Sequence, residues 1–248
     1  EYEKFADRAY HGRDTEQKDF ATFLQQKPVL QNLIITGLRG IGKTVLMESL
    51  KPLAAQSKWA WVGTDLSESA SISEAAFAER LLTDVSVFGS ALKIPAKMAR
   101  VIGFNAPSPT GELSLNYPTL RAIFDSTPGL ISDKLRAVIE LVGALAQAAG
   151  AAGIIFAYDE AQTMFDDPGE KQYPLALLLD VFQSVQRKGV QVMLLLTGLP
   201  TLFPKLVQAR TFAERMFRVI ELRPLSQAES EKAIREPFKL KGVPPEFH

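Results

Sequence analysis

The stretch at 33–47, LIITGLRGIGKTVLM, constrains what this chain can fold into more than any other part of its sequence. An apolar run ends at Thr36, three glycines follow within six residues, and a Lys-Thr pair then opens the amphipathic run KTVLMESLKPL. The apolar run is typical of a buried strand, and the run after Gly42 is typical of a helix. A strand that passes through a glycine-rich turn into a helix indicates an α/β fold.

The same stretch fills the pattern G-x-x-x-x-G-K-[ST], which is the pattern of a phosphate-binding P-loop. Backbone N–H groups in such a loop converge on one anion, and the following helix adds its positive N-terminal end. Lys43 is predicted to reach the β- and γ-phosphates, and the Thr44 hydroxyl is predicted to bind Mg²⁺. The residues predicted to contact the nucleotide are Gly37, Gly40, Ile41, Gly42, Lys43, Thr44 and Val45.

A second motif, GIIFAYDEAQ at 153–162, takes an apolar run into Asp159 and Glu160. This is a Walker B pattern, in which Asp159 would hold the Mg²⁺ shell and Glu160 would polarise the water that attacks the γ-phosphate. Two acids that simply end a strand and face solvent are the alternative interpretation. The P-loop upstream favours the catalytic interpretation.

Thr197, in the run MLLLTGLP at 193–200, is a polar residue at the tip of a further strand-like run. Because the carboxyl ends of parallel strands share one edge of a sheet, Thr197 is expected beside the P-loop and Asp159. There its hydroxyl would hydrogen-bond the γ-phosphate or the attacking water. A threonine that only ends the strand before a Gly-Leu-Pro turn is the alternative, and the residues leave both open.

Strand-like apolar runs alternate with helical patterns along the chain. At least three of the runs are almost wholly hydrophobic, as in strands buried on both faces of a parallel sheet. Helical spacing occurs at 133–150 and at 175–189, where Gly189 is a predicted C-cap. The alternation predicts right-handed crossovers and a three-layer α/β fold. The predicted strands are 33–36, 59–66, 153–160, 190–198 and 217–222.

Two regions fit this alternation less well. The interval 89–129 is rich in proline and is predicted to be a loop or hairpin insertion. From 225 onward the sequence is charged and helical, with Ser226 and Glu229 spaced as a capping box. We therefore expect a core domain at 1–224 and the beginning of a helical lid at 225–248.

The first residue is not Met and the sequence ends inside this helical region, so we expect a portion of a longer protein.

The composition excludes several classes of site. The chain has 248 residues, with 28 Lys and Arg balanced by 28 Asp and Glu, so it lacks the overall basic charge typical of nucleic-acid binding. There is no cysteine for a disulfide or a thiolate metal site, and only His11 and His248 are available as imidazole ligands. No secretory signal or membrane span is evident, so a cytoplasmic location is expected.

The motifs GLRGIGKT, IIFAYDEAQ, LLLTGLP and FRVIELRPLSQAESEKAI together resemble the AAA+/STAND-type ATPases. The resemblance is strongest to the prokaryotic AAA-family ATP-binding proteins related to the origin-recognition clade. The upstream segment AYHGRDTEQKDFATFL is similar to the F-x-G-R-x-x-E-L entry motif of that group. In relatives this segment packs beside the adenine, which implies nucleotide contacts for Gly12 and Arg13. His11 and Gln17 match the motif only loosely.

The resemblance implies a five-stranded parallel sheet of order 5-1-4-3-2, with ATP and Mg²⁺ at the P-loop edge and a helical lid after the last strand. It also implies an arginine finger, supplied by a neighbouring subunit, near the helix before the fifth strand. The run QARTFAERMFRVIEL offers Arg210, Arg215 and Arg218, of which Arg215 is our choice. A solvated surface arginine is the alternative for each of them.

Three functions compete at this point. The first is an ATP-hydrolysing switch or assembly ATPase that acts on oligomer contacts or on a partner protein. The second is an ATP-dependent DNA-binding protein of the origin-recognition type, with DNA contacts outside this sequence. The third is a P-loop kinase of a small metabolite, against which the Asp159-Glu160 pair and Thr197 argue.

Overall fold

The computed structural model describes residues 13–26, 31–67, 69, 72–95, 112–227 and 229–231. Within these ranges the strands are β1 (Asn32–Thr36), β2 (Trp59–Val62), β3 (Lys93–Pro95), β4 (Glu112–Ser114), β5 (Gly153–Tyr158), β6 (Val192–Gly198) and β7 (Phe217–Glu221). The helices are α1 (Asp14–Leu24), α2 (Lys43–Gln56), α3 (Glu74–Gly89), α4 (Tyr117–Ser126), α5 (Ile131–Ala148), α6 (Pro174–Arg187), α7 (Leu202–Ala209) and α8 (Ala213–Met216). A short 3₁₀ turn occupies Ala161–Thr163.

Five of the strands form one parallel sheet in the order β2-β5-β6-β1-β7. Counted along the chain, these are sheet strands 2-3-4-1-5, which is the predicted order 5-1-4-3-2 seen from the opposite edge. The α/β class, the parallel sheet and its strand order are therefore confirmed. The chain crosses over each time through a helix, so the carboxyl ends of β1, β5 and β6 meet at one edge of the sheet.

Side chains that alternate along the strands build a separate core on each face of the sheet. On one face Ile34 and Phe156 pack in a large apolar cluster with helices α3 to α8. On the other face Leu33, Ile35 and Ile155 pack with α1 and α2. Two helical layers thus enclose the sheet, as the three-layer prediction requires.

The predicted strand at 59–66 is shorter in the structure, where β2 ends at Val62. Gly63 has φ 126°, and a Cβ placed on it would lie 2.0 Å from the carbonyl oxygen of Ala157. This close approach interrupts the ladder because only glycine fits there. Pairing resumes at a single bridge between Asp65 and Asp159.

The interval 89–129 is not only a loop or hairpin, although β3 and β4 do pair antiparallel within it. Helix α4 also lies in this interval, and its Leu120 is fully buried. Asn116 caps α4 by accepting from the Thr119 N–H at 3.1 Å, and Pro118 lies in the first turn. Proline is compatible with a first helical turn because it needs no N–H partner there, so this proline does not mark a loop.

The helical signals near the end of the chain are present. Gly189 follows α6 with φ 83°, as a glycine after a helix C-terminus often does. Ser226 N–H donates to Glu229 Oε2 at 2.7 Å, and Glu229 N–H donates to Ser226 Oγ at 3.3 Å, which forms the predicted capping box. The remainder of the predicted lid lies outside the described residues. None of the helices in the described ranges is long and apolar enough to cross a membrane.

Candidate functional site

The P-loop leaves β1 at Gly37 and enters α2 at Lys43. Gly42 caps α2 with φ 93°, a left-handed conformation that other residues adopt only at a cost. The Lys43 side chain is buried, and its ammonium donates to the carbonyl oxygens of Gly37 and Leu38, both at 3.0 Å. Both partners are neutral, so the charge of this buried cation is not balanced within the loop. A buried cation with neutral partners favours an incoming anion.

Asp159 lies at the carboxyl end of β5, directly opposite the P-loop helix, and is 2 % exposed. Its Oδ2 accepts from the Thr44 hydroxyl, and its Oδ1 accepts from the Thr197 hydroxyl. The N–H of Glu160 also donates to Oδ1 at 2.8 Å. The predicted P-loop, Walker B and strand-tip residues are therefore in contact through one carboxylate.

Glu160 is exposed beside this carboxylate and has φ 53°, an uncommon conformation for a residue other than glycine. Its carboxylate accepts from the amide nitrogen of Gln162. The amide oxygen of Gln162 in turn accepts from the Leu199 N–H at 3.1 Å, in the turn after β6. Sequence reasoning missed this contact of Gln162 with Glu160. Gln162 stands two positions after Glu160, at the end of the motif DEAQ.

An open cavity of about 590 Å³ lies over the P-loop. Six predicted site residues border it, together with Arg39, which is exposed. The predicted residues Gly37, Ile41, Asp159 and Thr197 are not among the residues that line it. The lining residues are Arg39, Gly40, Gly42, Lys43, Thr44, Val45 and Glu160.

The contact between Thr44 and Asp159 suits a magnesium ion. A hydroxyl and a carboxylate oxygen are hard donors of the kind that Mg²⁺ prefers, and the ion usually completes its shell with water and phosphate oxygens. Within the described part of the chain, no group of three or more His, Asp or Glu side chains is arranged to hold a metal alone. The donor set therefore fits Mg²⁺ that arrives with a nucleotide.

Asp65 is a third acidic residue at this edge of the sheet, and sequence reasoning missed it. It forms the single backbone bridge to Asp159 described above. Partial burial raises the pKa of Asp65 above its ordinary value of 3.8, and the carboxylates of Asp159, Glu48 and Glu160 raise it further, while Lys51 lowers it. The sequence did contain a signal for Asp65, because it is a polar residue just past β2, the strand that pairs with the Walker B strand β5.

Arg13, for which a nucleotide contact is predicted, contacts the protein backbone in this structure. Its guanidinium donates to the carbonyl oxygens of Ile41 at 3.1 Å and of Arg223 at 2.8 Å. Arg13 also contacts Glu16 at 3.4 Å. Gly12, the other predicted residue of this segment, lies outside the described residues.

The three candidate finger arginines differ in their partners. Arg210 makes a two-pronged ion pair with Asp180, at 2.8 and 2.6 Å, and Arg218 pairs with Asp19 at 3.1 Å. Arg215 is exposed, and among the described residues its guanidinium has no hydrogen-bond or ion-pair partner. It borders a separate groove of about 380 Å³ and not the P-loop cavity of its own chain.

No protein-family model matches this sequence, and no curated protein matches it significantly. Solved structures do resemble it. The ORC2 protein of Aeropyrum pernix, in its ADPNP-ADP complexes, superposes with a TM-score of 0.55 at 16% identity, over 92% of this chain and 52% of that one. The ADP form of the same protein superposes with a TM-score of 0.52 at 14% identity, over 96% of this chain and 56% of that one. AMPPCP-bound DnaA of Aquifex aeolicus superposes with a TM-score of 0.50 at 12% identity, over 95% of this chain and 54% of that one.

This chain therefore spans about half the length of these proteins. The likeness, at such low identity, shows the fold alone, which is the three-layer α/β P-loop fold that this chain has in common with the ORC2 and DnaA structures.

Proposed function

We propose that this chain binds Mg-ATP at the P-loop and hydrolyses it to ADP and phosphate, as a nucleotide-dependent switch or assembly ATPase. The observation that carries the proposal is the meeting of three groups at one cavity. Lys43 is a buried ammonium with neutral partners, Thr44 and Asp159 form a hard-oxygen pair, and Glu160 stands at the rim. Nucleotide analogues in the similar structures support the same use of the fold.

The phosphates would displace the carbonyl contacts of Lys43, whose ammonium would then balance charge on the β- and γ-phosphate oxygens. The N–H groups of the loop and the N-terminal end of α2 would add to this stabilisation. Mg²⁺, when bound, supplies further positive charge to the phosphates, and Thr44 and Asp159 are the residues that would hold it. Adenine as the base rests on the resemblance of the motifs.

Glu160 would orient and polarise the attacking water. Its carboxylate is exposed at the cavity, and its backbone conformation is one that proteins tend to retain at functional sites. Gln162 holds the carboxylate in one orientation through a hydrogen bond. Thr197 is fully buried and bonded to Asp159, which supports a role in placing that carboxylate more than direct contact with the phosphate.

The nucleotide-binding part of this proposal is tested with Lys43→Ala. Loss of a charge-assisted contact should weaken Mg-ATP binding, measured by calorimetry, by about tenfold to a hundredfold. Lys188→Ala is the matched control because Lys188 is an exposed lysine paired with Glu140 at 2.6 Å. Equal affinity of Lys43→Ala and the unchanged chain would overturn the P-loop assignment.

Assembly is the finer part of the proposal, and it involves Arg215. An arginine without a partner among the described residues is available to stabilise the transferring phosphoryl group of a neighbouring copy. The specific rate of phosphate release should then rise with protein concentration and collapse in Arg215→Ala. Arg121→Ala, which removes a surface ion pair with Asp125, should leave the rate unchanged. A rate independent of concentration in the unchanged chain would indicate a monomeric switch.

The DNA-binding and kinase alternatives stay predictions that the same preparation can address. An ATP-dependent, salt-sensitive shift of duplex DNA would favour the first alternative. Transfer of phosphate to an added small molecule, in place of release as free phosphate, would favour the second.

A further inference from the structure

A single guanidinium nitrogen of Arg13 links two separate parts of the chain. Nη2 donates to the Ile41 carbonyl in the P-loop and to the Arg223 carbonyl just after β7. Because a guanidinium NH₂ group has two hydrogens, each carbonyl can receive its own bond. Glu16 holds the opposite nitrogen of the fork at 3.4 Å, and only 14% of the Arg13 side chain is exposed. The side chain is thus fixed from three directions.

The bond to Ile41 bears on the orientation of the phosphate-binding loop. A trans peptide is planar, and its C=O and the following N–H point in opposite directions. Arg13 donates to the Ile41 carbonyl, and neither of these two residues lines the cavity. Gly42 borders the cavity and has φ 93°. Arg13 therefore bonds the carbonyl of the peptide that leads into this cavity-lining residue.

The bond to Arg223 bears on the segment that leaves the sheet. Leu222 N–H donates to Thr36 O at 2.7 Å, so this segment starts beside the root of the P-loop. Three residues after Arg223, the Ser226–Glu229 capping box begins the next helical turn. The hydrogen bonds of Ser226 lower the pKa of Glu229, and the charge of Arg13 lowers it further.

We propose that Arg13 is a positioning residue, which sets the Ile41–Gly42 peptide for phosphate and couples occupation of the P-loop to the segment at 222–226. The inference rests on the proposed nucleotide binding and deepens it. Phosphate at the loop would hold the peptide in one orientation, and the shared nitrogen would pass that restraint to the Arg223 carbonyl.

The test compares Arg13→Gln and Arg13→Lys with Arg121→Gln, which removes a half-buried arginine that pairs with Asp125 and Glu79. The probes are Mg-ATP and inorganic tripolyphosphate, which carries no base. Arg13→Gln should lose about tenfold or more in affinity for both probes, since a charge-assisted contact that orients the loop is removed. Arg13→Lys keeps the charge but cannot donate to both carbonyls from one planar fork. Its affinity for both probes should therefore lie between that of Arg13→Gln and that of the unchanged chain.

An adenine contact would give a different pattern. If Arg13 served the base, Arg13→Gln would weaken Mg-ATP binding and leave tripolyphosphate binding unchanged, and that result would overturn the proposal. Thermal midpoints of the three variants show whether a loss of affinity merely follows a loss of stability. A folded Arg13→Gln variant that binds tripolyphosphate as tightly as the unchanged chain would therefore contradict the positioning role of Arg13.

Coupling is measured by hydrogen exchange of the backbone amides of Leu222, Arg223, Leu225 and Ser226, since position 224 is a proline. In the unchanged chain, tripolyphosphate at saturation should slow this exchange, and in Arg13→Lys at saturation the slowing should be lost. Equal slowing in both proteins contradicts the coupling. The two proposals fail differently: an unchanged chain that binds neither probe removes both, whereas binding that the Arg13 variants do not alter removes only this one.

Discussion

Thr197 and Asp159 are joined by a buried hydrogen bond between neighbouring strands of the sheet, from the threonine hydroxyl to Oδ1 of the carboxylate. The sheet register explains the contact. Tyr158 pairs with Leu196, so the next residue of each strand lies side by side at the carboxyl edge. Asp159 is thereby oriented from β6 and from the P-loop helix at once.

Thr197→Val should lower the rate of ATP hydrolysis more than it lowers Mg-ATP affinity. The substitution keeps the shape of the side chain but removes one donor to a buried carboxylate, which should also cost about 1–3 kcal/mol of unfolding free energy. Single-turnover phosphate release and equilibrium binding separate the two effects. Thr163→Val is the control, because its hydroxyl faces the Leu66 carbonyl at 3.4 Å and no carboxylate. An unchanged hydrolysis rate would contradict this role of Thr197.

Glu160→Gln should bind Mg-ATP as well as the unchanged chain and release phosphate about a hundredfold or more slowly, as expected when a general base is removed. The amide preserves the size of the side chain and can still contact Gln162, so the loop should keep its conformation. Binding and turnover are measured on the same samples. Turnover near that of the unchanged chain would exclude Glu160 from the reaction.

Asp65→Asn should stabilise the protein without nucleotide at neutral pH and have no effect in acid. The folded pKa of Asp65 is raised above its ordinary value of 3.8, so ionisation of Asp65 disfavours the folded state. This cost is absent below about 3.8, grows as the pH rises toward the folded pKa, and is complete above it.

Urea unfolding of Asp65→Asn at several pH values should show the gain appear with rising pH. Glu170→Gln, a change at an exposed carboxylate in the turn after Asp167, is the control and should show no such trend. A gain of equal size at all pH values would mean that charge is not its cause.

Gly63→Ala should destabilise the protein by at least about 2 kcal/mol, because it adds both backbone strain and a clash. The new methyl group would lie 2.0 Å from the Ala157 carbonyl oxygen, inside the central sheet. Gly150→Ala isolates the strain, since Gly150 has φ 92° and no atom within 4 Å of an added Cβ. Chemical denaturation should show a clearly larger loss for Gly63→Ala, and equal losses would contradict the close approach.

The buried strands and the P-loop were predictable because they follow from local rules, whereas the order of the strands in the sheet was predicted only through the resemblance to the AAA+/STAND-type ATPases. Apolar runs longer than a turn and a glycine pattern of fixed spacing restrict the backbone wherever they occur. The end of β2 was predicted too late because its cause, the carbonyl of Ala157 on a neighbouring strand, is distant in sequence. Helix α4 was read as loop because Pro118 breaks a strand but suits a first helical turn.

The sequence by itself determined the chemistry available at the site: the ammonium of Lys43, the hydroxyl of Thr44 and the acids Asp159 and Glu160. Only the tertiary structure decided which partners the surrounding side chains contact. It turned Arg13 toward two backbone carbonyls, joined Thr197 to Asp159, and brought Asp65 and Gln162 to the same edge. Such pairings depend on the register between strands and on where loops return, and neither is encoded in any short stretch of residues.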